Sequence, residues 1–298
     1  MSTLSFQGAS GHLYLRGDPL GVGATGQVWR AWRQDSAEPL VLKLFDPRFG
    51  TPTMRRRTAW LAAQLLDRAS PVLHAPVDIV DGPIGFGHVS AFAGGVPLEA
   101  YLGTPIGDPL DHLVCAAAMA AGVAAMEQRG IAHGDLRWAN FRIGKRFGVL
   151  RAGLIDFDTC VAPDLPPPPS IGQIRYAAPE IRRDPQPARL GIATDRYALA
   201  MLLRELLAGM FDRDGLGRNL QGLFRRALGA APDARPRASE WFAALRQAAE
   251  NVHQCDHCGR PFIAEASTRH CPHCVQPLSG LSIFRPPSVR KSKEQYGV

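Results

Sequence analysis

Short apolar runs open the chain. Leu13-Tyr14-Leu15, Val28-Trp29-Arg30-Ala31-Trp32 and Leu40-Val41-Leu42-Lys43-Leu44-Phe45 stand between glycine-rich and polar stretches, which predicts three strands within residues 12–46. The pattern then lengthens. Residues 52–68 read as a helix, and two further strands are expected near 77–81 and 84–91. A long helix over 109–129 should end at Gly130, since glycine suits the left-handed position just past a helix. Its middle, Leu113 to Ala125, is alanine-rich and reads as buried. Three more helices are expected at 193–209, 218–229 and 238–250. No internal repeat is present, and no run of eighteen apolar residues suggests a membrane span.

Composition adds limits. With 298 residues, 46% of them hydrophobic and 20% charged, the chain can build cores for two domains and a tail. Met1-Ser2-Thr3-Leu4-Ser5 lacks the basic start and apolar centre of a signal peptide, so the expected location is cytoplasmic. The net charge of +7 is spread along the chain rather than clustered, and gives no ground for nucleic-acid binding.

Candidate chemistry is densest at His133-Gly134-Asp135-Leu136-Arg137-Trp138-Ala139-Asn140, with Asp156 sixteen residues beyond. An acid, a cation and an amide on one segment, with a second acid downstream, are what phosphoryl transfer requires. Asp135 would orient or deprotonate a hydroxyl, Arg137 would balance charge on the moving phosphoryl group, and Asn140 and Asp156 would hold Mg²⁺. Upstream, Gly21-Val22-Gly23-Ala24-Thr25-Gly26-Gln27-Val28 fits G-x-G-x-x-G-x-V. The strands on both sides favour a flap over nucleotide phosphates, because a dinucleotide-binding turn would lead straight into a helix. Lys43 lies inside an apolar strand, which is costly unless an anion meets it.

The pattern H-G-D-L-x-x-x-N resembles the catalytic loop of the protein kinase-like superfamily. Other elements follow in the superfamily's order across about residues 10–250. Ile155-Asp156-Phe157-Asp158 is similar to D-F-G, Ala178-Pro179-Glu180 to A-P-E, and Asp195-Arg196-Tyr197 to the start of the large helix of the C-terminal lobe. Arg235 in Pro232-Asp233-Ala234-Arg235-Pro236 stands where an arginine pairs with the A-P-E glutamate, here Glu180. The resemblance implies an α+β, bilobal fold with an antiparallel-sheet N-lobe and a helical C-lobe. It implies an ATP site formed by Gly21, Val22, Gly23, Gly26, Val28, Lys43, Val89, Ala91, Asn140 and Asp156. It implies catalysis by Asp135, Arg137, Asn140 and Lys43, with ATP and Mg²⁺ as cofactors and a protein hydroxyl as acceptor. A narrower likeness runs through Ala75-Pro76-Val77-Asp78, Pro83-Ile84-Gly85-Phe86 and Ile155-Asp156-Phe157-Asp158. It points to bacterial kinase-like proteins associated with tellurite resistance, and to von Willebrand A and PP2C-type partners.

Three departures from the superfamily bear on activity. The helix at 52–68 offers no glutamate for Lys43; Asp67 comes late and Gln64 is neutral. Gly134 replaces the arginine that binds an activation-segment phosphate, so control by that phosphate is not expected. Asp158 replaces the last glycine of D-F-G. The leading reading is an active Ser/Thr protein kinase. The alternatives are a nucleotide-binding pseudokinase or scaffold and a small-molecule phosphotransferase, the latter because H-G-D also occurs in such enzymes.

A second signal lies near the C-terminal end. Cys255-Asp256-His257-Cys258 and Cys271-Pro272-His273-Cys274 form two C-x2-C knuckles, a spacing that surrounds one tetrahedral Zn²⁺. Four protein thiolates leave no open position, so the metal would be structural. His257, His270 and His273 stand near enough for each to replace one cysteine as a ligand; the expectation is that they face solvent. The expected domains are the kinase-like domain at 10–250, a zinc ribbon at 251–280 and a disordered basic tail at 281–298.

Overall fold

A computed structural model describes residues 4–102, 108–146, 149–165, 168, 174–229 and 231–278; the tail at 281–298 lies outside them. Six strands close an antiparallel barrel: β1 (Ser5–Gly8), β2 (Leu13–Val22), β3 (Gly26–Arg33), β4 (Leu40–Phe45), β5 (Pro76–Gly82) and β6 (Gly85–Ala91), in the order β1-β2-β3-β4-β6-β5. β1 precedes residue 10, where the domain was expected to begin. Four residues are too few to give a period, yet β1 closes the barrel by pairing with both β2 and β5. Phe6, Leu42, Val80 and Val89 fill the interior with no exposed surface. Asp78 has a structural job here: buried on β5, it accepts bonds from the Ser10 amide and hydroxyl and from the Tyr14 hydroxyl. These bonds tie the first hairpin to β5, the strand beside β1 where the barrel closes.

Between β4 and β5, helix α1 (Pro52–Ala63) starts at a Thr51 cap, whose hydroxyl accepts the Met54 N–H. The expected helix over 52–68 is broken. Leu65 turns left-handed at φ 49°, and a short α2 (Leu66–Ala69) follows. The turn buries Leu66 completely and leaves Leu65 part-exposed, so packing outweighs helical propensity at this step.

The helical lobe contains β7 (Val96–Pro97), α3 (Leu98–Leu102), α4 (Pro109–Glu127), β8 (Phe141–Arg146), β9 (Val149–Leu154), α5 (Pro179–Arg183), α6 (Ile192–Ala208), α7 (Gly217–Ala227) and α8 (Ala238–Glu250). α4 is capped by Asp108, which accepts from Leu110 and Asp111. It is long and apolar enough to cross a membrane by composition alone, but most of its apolar window is buried inside the lobe, against α6, α8 and β9. β7–β9 form a small sheet whose β8–β9 hairpin joins the Asp135 segment to the Asp156 segment. Two short strands, β10 (Val252–Gln254) and β11 (Pro261–Ile263), lead into the cysteine knuckles.

Candidate active site

Barrel and helical lobe meet at a cavity of about 200 Å³ lined by Gly23, Val28, Lys43, Ala91, Asn140 and Asp156. Lys43 reaches it from β4. Its ammonium lies 2.7 Å from Asp156 Oδ1 and 2.7 Å from Asp158 Oδ2. Burial opposes its charge, but Asp158 and Asp156 together raise its pKa above the ordinary lysine value. The same contact works on Asp158: burial alone would raise its carboxyl pKa, and Lys43 pulls it below the usual range. Asp156 itself sits in the left-handed region at φ 66°, a strained conformation for a residue with a side chain and one that clusters at functional sites.

Asp158 also meets two other elements. The Thr25 hydroxyl, from the glycine-rich turn, donates to its Oδ2 at 2.7 Å. Arg57 on α1, 1% exposed, donates from Nη2 to the backbone carbonyls of Asp158 (3.0 Å) and Cys160 (2.6 Å). Thus α1 faces this loop with a cation, where a carboxylate was sought in the sequence and not found. His88 lies across the ladder from Lys43, 4.0 Å from Asp158. Burial holds its pKa down to about 4.

The 133–140 segment is braced from behind. His133 is buried and neutral, its pKa pushed down to about 4 chiefly by burial. Its Nε2–H donates to the Ile155 carbonyl (3.1 Å), and its Nδ1 accepts the Asp135 N–H (3.3 Å). Asp195 on α6 accepts the amides of His133 (2.5 Å) and Gly134 (3.0 Å); burial dominates its titration and raises its pKa to about 7. Asp135 forms an ion pair with Arg137 (3.0 Å) and accepts a bond from Asn140 Nδ2 (3.1 Å). Gly134 has φ +77°, and a Cβ there would stand 2.5 Å from the Thr159 carbonyl. Glycine at this position is therefore required by the backbone. The Thr159 hydroxyl is itself engaged, donating to the His133 carbonyl at 3.0 Å.

Further along, Glu180 and Arg235 form a two-pronged pair at 2.7 and 2.8 Å. The arginine is buried and also donates to the Ala193 carbonyl. Tyr176 donates to Glu205 at 3.0 Å, and the Arg175 guanidinium lies over the Trp138 ring at 5.0 Å. These contacts fix the end of the 156–180 segment against the Asp135 loop through a cation–π contact.

Not every residue expected in the nucleotide site faces it. Val89 is in the barrel core with Phe6 and Leu42; its neighbours His88 and Ser90 line the cavity instead. Side chains alternate along a strand, so a one-residue error exchanges faces. Val22 is exposed to solvent, and neither it nor Gly21 is among the residues lining the cavity. Gly26 lies behind the flap, where a Cβ would collide with the Leu44 carbonyl. His74 and Arg142 also line the cavity, and no motif pointed to them. His74 Nδ1 lies 3.1 Å from the Ala91 carbonyl.

In the second site, the four ligand atoms of Cys255, Cys258, Cys271 and Cys274 lie within 4.8 Å of one another. Cys255–Cys274 and Cys258–Cys271 sulfurs are each 3.7 Å apart. A zinc tetrahedron with bonds of ~2.3 Å has sulfur–sulfur edges of about 3.8 Å, so the cluster fits this metal. A disulfide would need sulfurs about 2 Å apart. Each knuckle turns back through a left-handed residue after its second cysteine, Gly259 at φ 69° and Val275 at φ 61°. His257 and His270 face solvent, but His273 does not. Its side chain is 3% exposed and bridges Asp212 (3.1 Å) and the Pro261 carbonyl (3.1 Å). Val252 belongs to the core of the helical lobe and Ile263 packs on it, while Glu265 pairs with Arg218.

No protein-family model matches the chain. It is 26% identical over 294 residues to the serine/threonine-protein kinase PkaA of Streptomyces coelicolor, a match that covers 81% of this chain and 51% of that protein. The chain thus spans about half the length of this relative. Among solved structures, the PknI kinase domain of Mycobacterium tuberculosis aligns with a TM-score of 0.59 at 24% identity, covering 83% of this chain and 98% of that domain. The ROP18 kinase domain, solved with AMP-PNP and sucrose, aligns with a TM-score of 0.64 at 20% identity, covering 83% of each chain. The fold is the bilobal protein kinase-like fold, with a four-cysteine cluster compatible with a zinc ribbon at its end.

Proposed function

We propose that this member of the protein kinase-like superfamily transfers the γ-phosphoryl group of ATP to a serine or threonine hydroxyl of a protein. One observation carries the reading. Lys43 and Asp156 meet at 2.7 Å on one wall of the cavity, and Asp135, Asn140 and Arg137 are interlocked beside it. Lys43 would take the α/β-phosphates, and the glycine-rich turn at Gly23 and Thr25 would cover them. Asp156 and Asn140 would hold Mg²⁺, which neutralises charge on the phosphates. Asp135 would receive the acceptor's proton at its carboxylate, and Arg137 would keep that carboxylate oriented. Support for a protein acceptor comes from the Glu180–Arg235 pair, which fixes the segment where such an acceptor would lie. The likeness to PkaA adds to it.

The four thiolates would hold a structural Zn²⁺ that keeps the knuckles folded. The tellurite-type motifs add von Willebrand A and PP2C-type proteins to the proposed partners.

The test is transfer of radiolabel from ATP with Mg²⁺ to a generic protein acceptor and, separately, to small hydroxyl compounds. Label on protein serine or threonine, lost in Asp135→Asn, is the expected result. Nucleotide binding with no transfer would favour a scaffold. Transfer to small hydroxyl compounds alone would favour the phosphotransferase reading.

A further inference from the structure

Helix α1, sequence Pro-Thr-Met-Arg-Arg-Arg-Thr-Ala-Trp-Leu-Ala-Ala, contains no acid. A kinase lysine that meets nucleotide phosphates is normally held by a glutamate on this helix. We propose that Asp158, in the magnesium loop itself, is the positioning residue that holds Lys43 for the nucleotide, in place of an acid on α1. This rests on the kinase reading above.

Both loop acids touch the lysine at the same distance, so accessibility separates their roles. The Asp156 side chain is 34% exposed and lines the cavity, where a metal would reach it. The Asp158 side chain is 10% exposed and is not part of that lining. Asp158 is also fixed from other directions: Thr25 donates to its carboxylate, and Arg57 grips its backbone carbonyl and that of Cys160. Glycine, the residue the resemblance expects at this position, would make neither the lysine contact nor the threonine contact. When the lysine's partner is on a helix, a swing of the helix breaks the pair. Here the partner travels with Asp156 and with the flap residue Thr25. Lys43 is thereby coupled to the phosphate-covering turn and the magnesium loop, and α1 reaches the loop through the backbone carbonyls held by Arg57.

Three variants test this: Asp158→Asn, which keeps an acceptor for Thr25 but removes the charge, Asp158→Gly and Asp158→Glu. The first readout needs no nucleotide: crystal structures of the wild type and of each variant read the place of the Lys43 side chain. In wild type the ammonium should stand against Asp158; in Asp158→Gly it should leave that place, and in Asp158→Glu it should keep it. In the second readout, Asp158→Asn and Asp158→Gly should raise the KM for ATP roughly tenfold, the scale of one lost charge-assisted hydrogen bond. Asp158→Glu should recover most of that loss, and all three should show wild-type circular dichroism. A Lys43 side chain unmoved in Asp158→Gly, or wild-type transfer kinetics in Asp158→Gly, would overturn the proposal. If the wild-type chain transfers no phosphate at all, the kinase reading fails, and the place of Lys43 in the variants still decides whether Asp158 holds the lysine.

Discussion

The Lys43 cleft and the cysteine knuckles both gather groups that repel or resist burial, and they do so by opposite routes. The knuckles draw four sulfurs from twenty consecutive residues; local turns bring them within 4.8 Å of one another. The cleft draws Thr25, Lys43, Arg57, Asp135 and Asp158 from five distant segments, and the Lys43 charge at its centre is balanced by carboxylates more than a hundred residues away in sequence. Removing one part should therefore have different reach in the two places. In the knuckles it removes the whole local structure. In the cleft it leaves the fold standing and changes the chemistry.

The largest effect expected is removal of the metal. A module of this size buries little apolar surface, so zinc should contribute on the order of 10 kcal/mol to its folding. Chelation, or Cys255→Ser, should abolish amide protection over 252–278. Because Val252 and Ile263 pack into the helical lobe, protection should also weaken along α7 and α8 while the Lys43 cleft stays protected. Hydrogen exchange reads this directly. Full protection at 252–278 after chelation, with no bound zinc, would remove the contrast between the two sites.

Asp135→Asn should cost transfer about 10²–10⁴-fold and leave nucleotide affinity nearly intact, because the carboxylate acts on the acceptor. Asp156→Asn should weaken Mg²⁺–nucleotide binding as well as turnover. Equal losses of affinity in the two variants would contradict the assigned roles.

A pH effect of middle size follows from buried titrating groups. His88 and His133 are neutral in the fold with pKa near 4, below their ordinary 6.5. The unfolded chain takes up protons that the fold refuses, so stability present above pH 6.5 is lost as pH falls toward 4. Asp195 runs the other way: its raised pKa, about 7, adds stability at low pH that disappears as pH rises from 3.8 through 7. Two histidines outweigh one carboxyl, so the urea midpoint should fall on going from pH 6.5 to 4.5. His88→Phe should flatten that fall; a steeper fall in this variant would refute the assignment.

The smallest effect concerns a knuckle turn. Val275 is β-branched and left-handed, where glycine is at ease, so Val275→Gly should stabilise the zinc-loaded chain by about 1 kcal/mol. A lower melting temperature in Val275→Gly would show that the exposed valine is held by contacts that outweigh its backbone strain.

Much of this was legible residue by residue. The lysine strand, the 133–140 segment, the Glu180–Arg235 pair and the cysteine spacing are each short patterns whose meaning is local, or was read from a known order of elements. What escaped depends on contacts across the chain. β1 is too short to show a period. Val89 was assigned to the cavity because a strand's two faces look alike until its register is known. Leu65 breaks a helix only because Leu66 has a core to enter. His273 looks like a solvent-facing knuckle residue until Asp212, sixty-one positions earlier, is brought beside it. Asp158 read as a missing glycine, since its partner Lys43 lies 115 residues away.

Gly134 carries a consequence for how such a protein can change over evolutionary time. With φ +77° and the Thr159 carbonyl 2.5 Å from any Cβ, the site accepts no side chain by a single codon change. An ancestor or descendant bearing arginine here must first have moved Thr159 and the loop bond it makes to His133. Phosphate-gated control is thus separated from this sequence by a step that is harmful until a second one joins it. Any regulation acquired by this lineage has an easier path through the flap or the knuckles than through the activation segment.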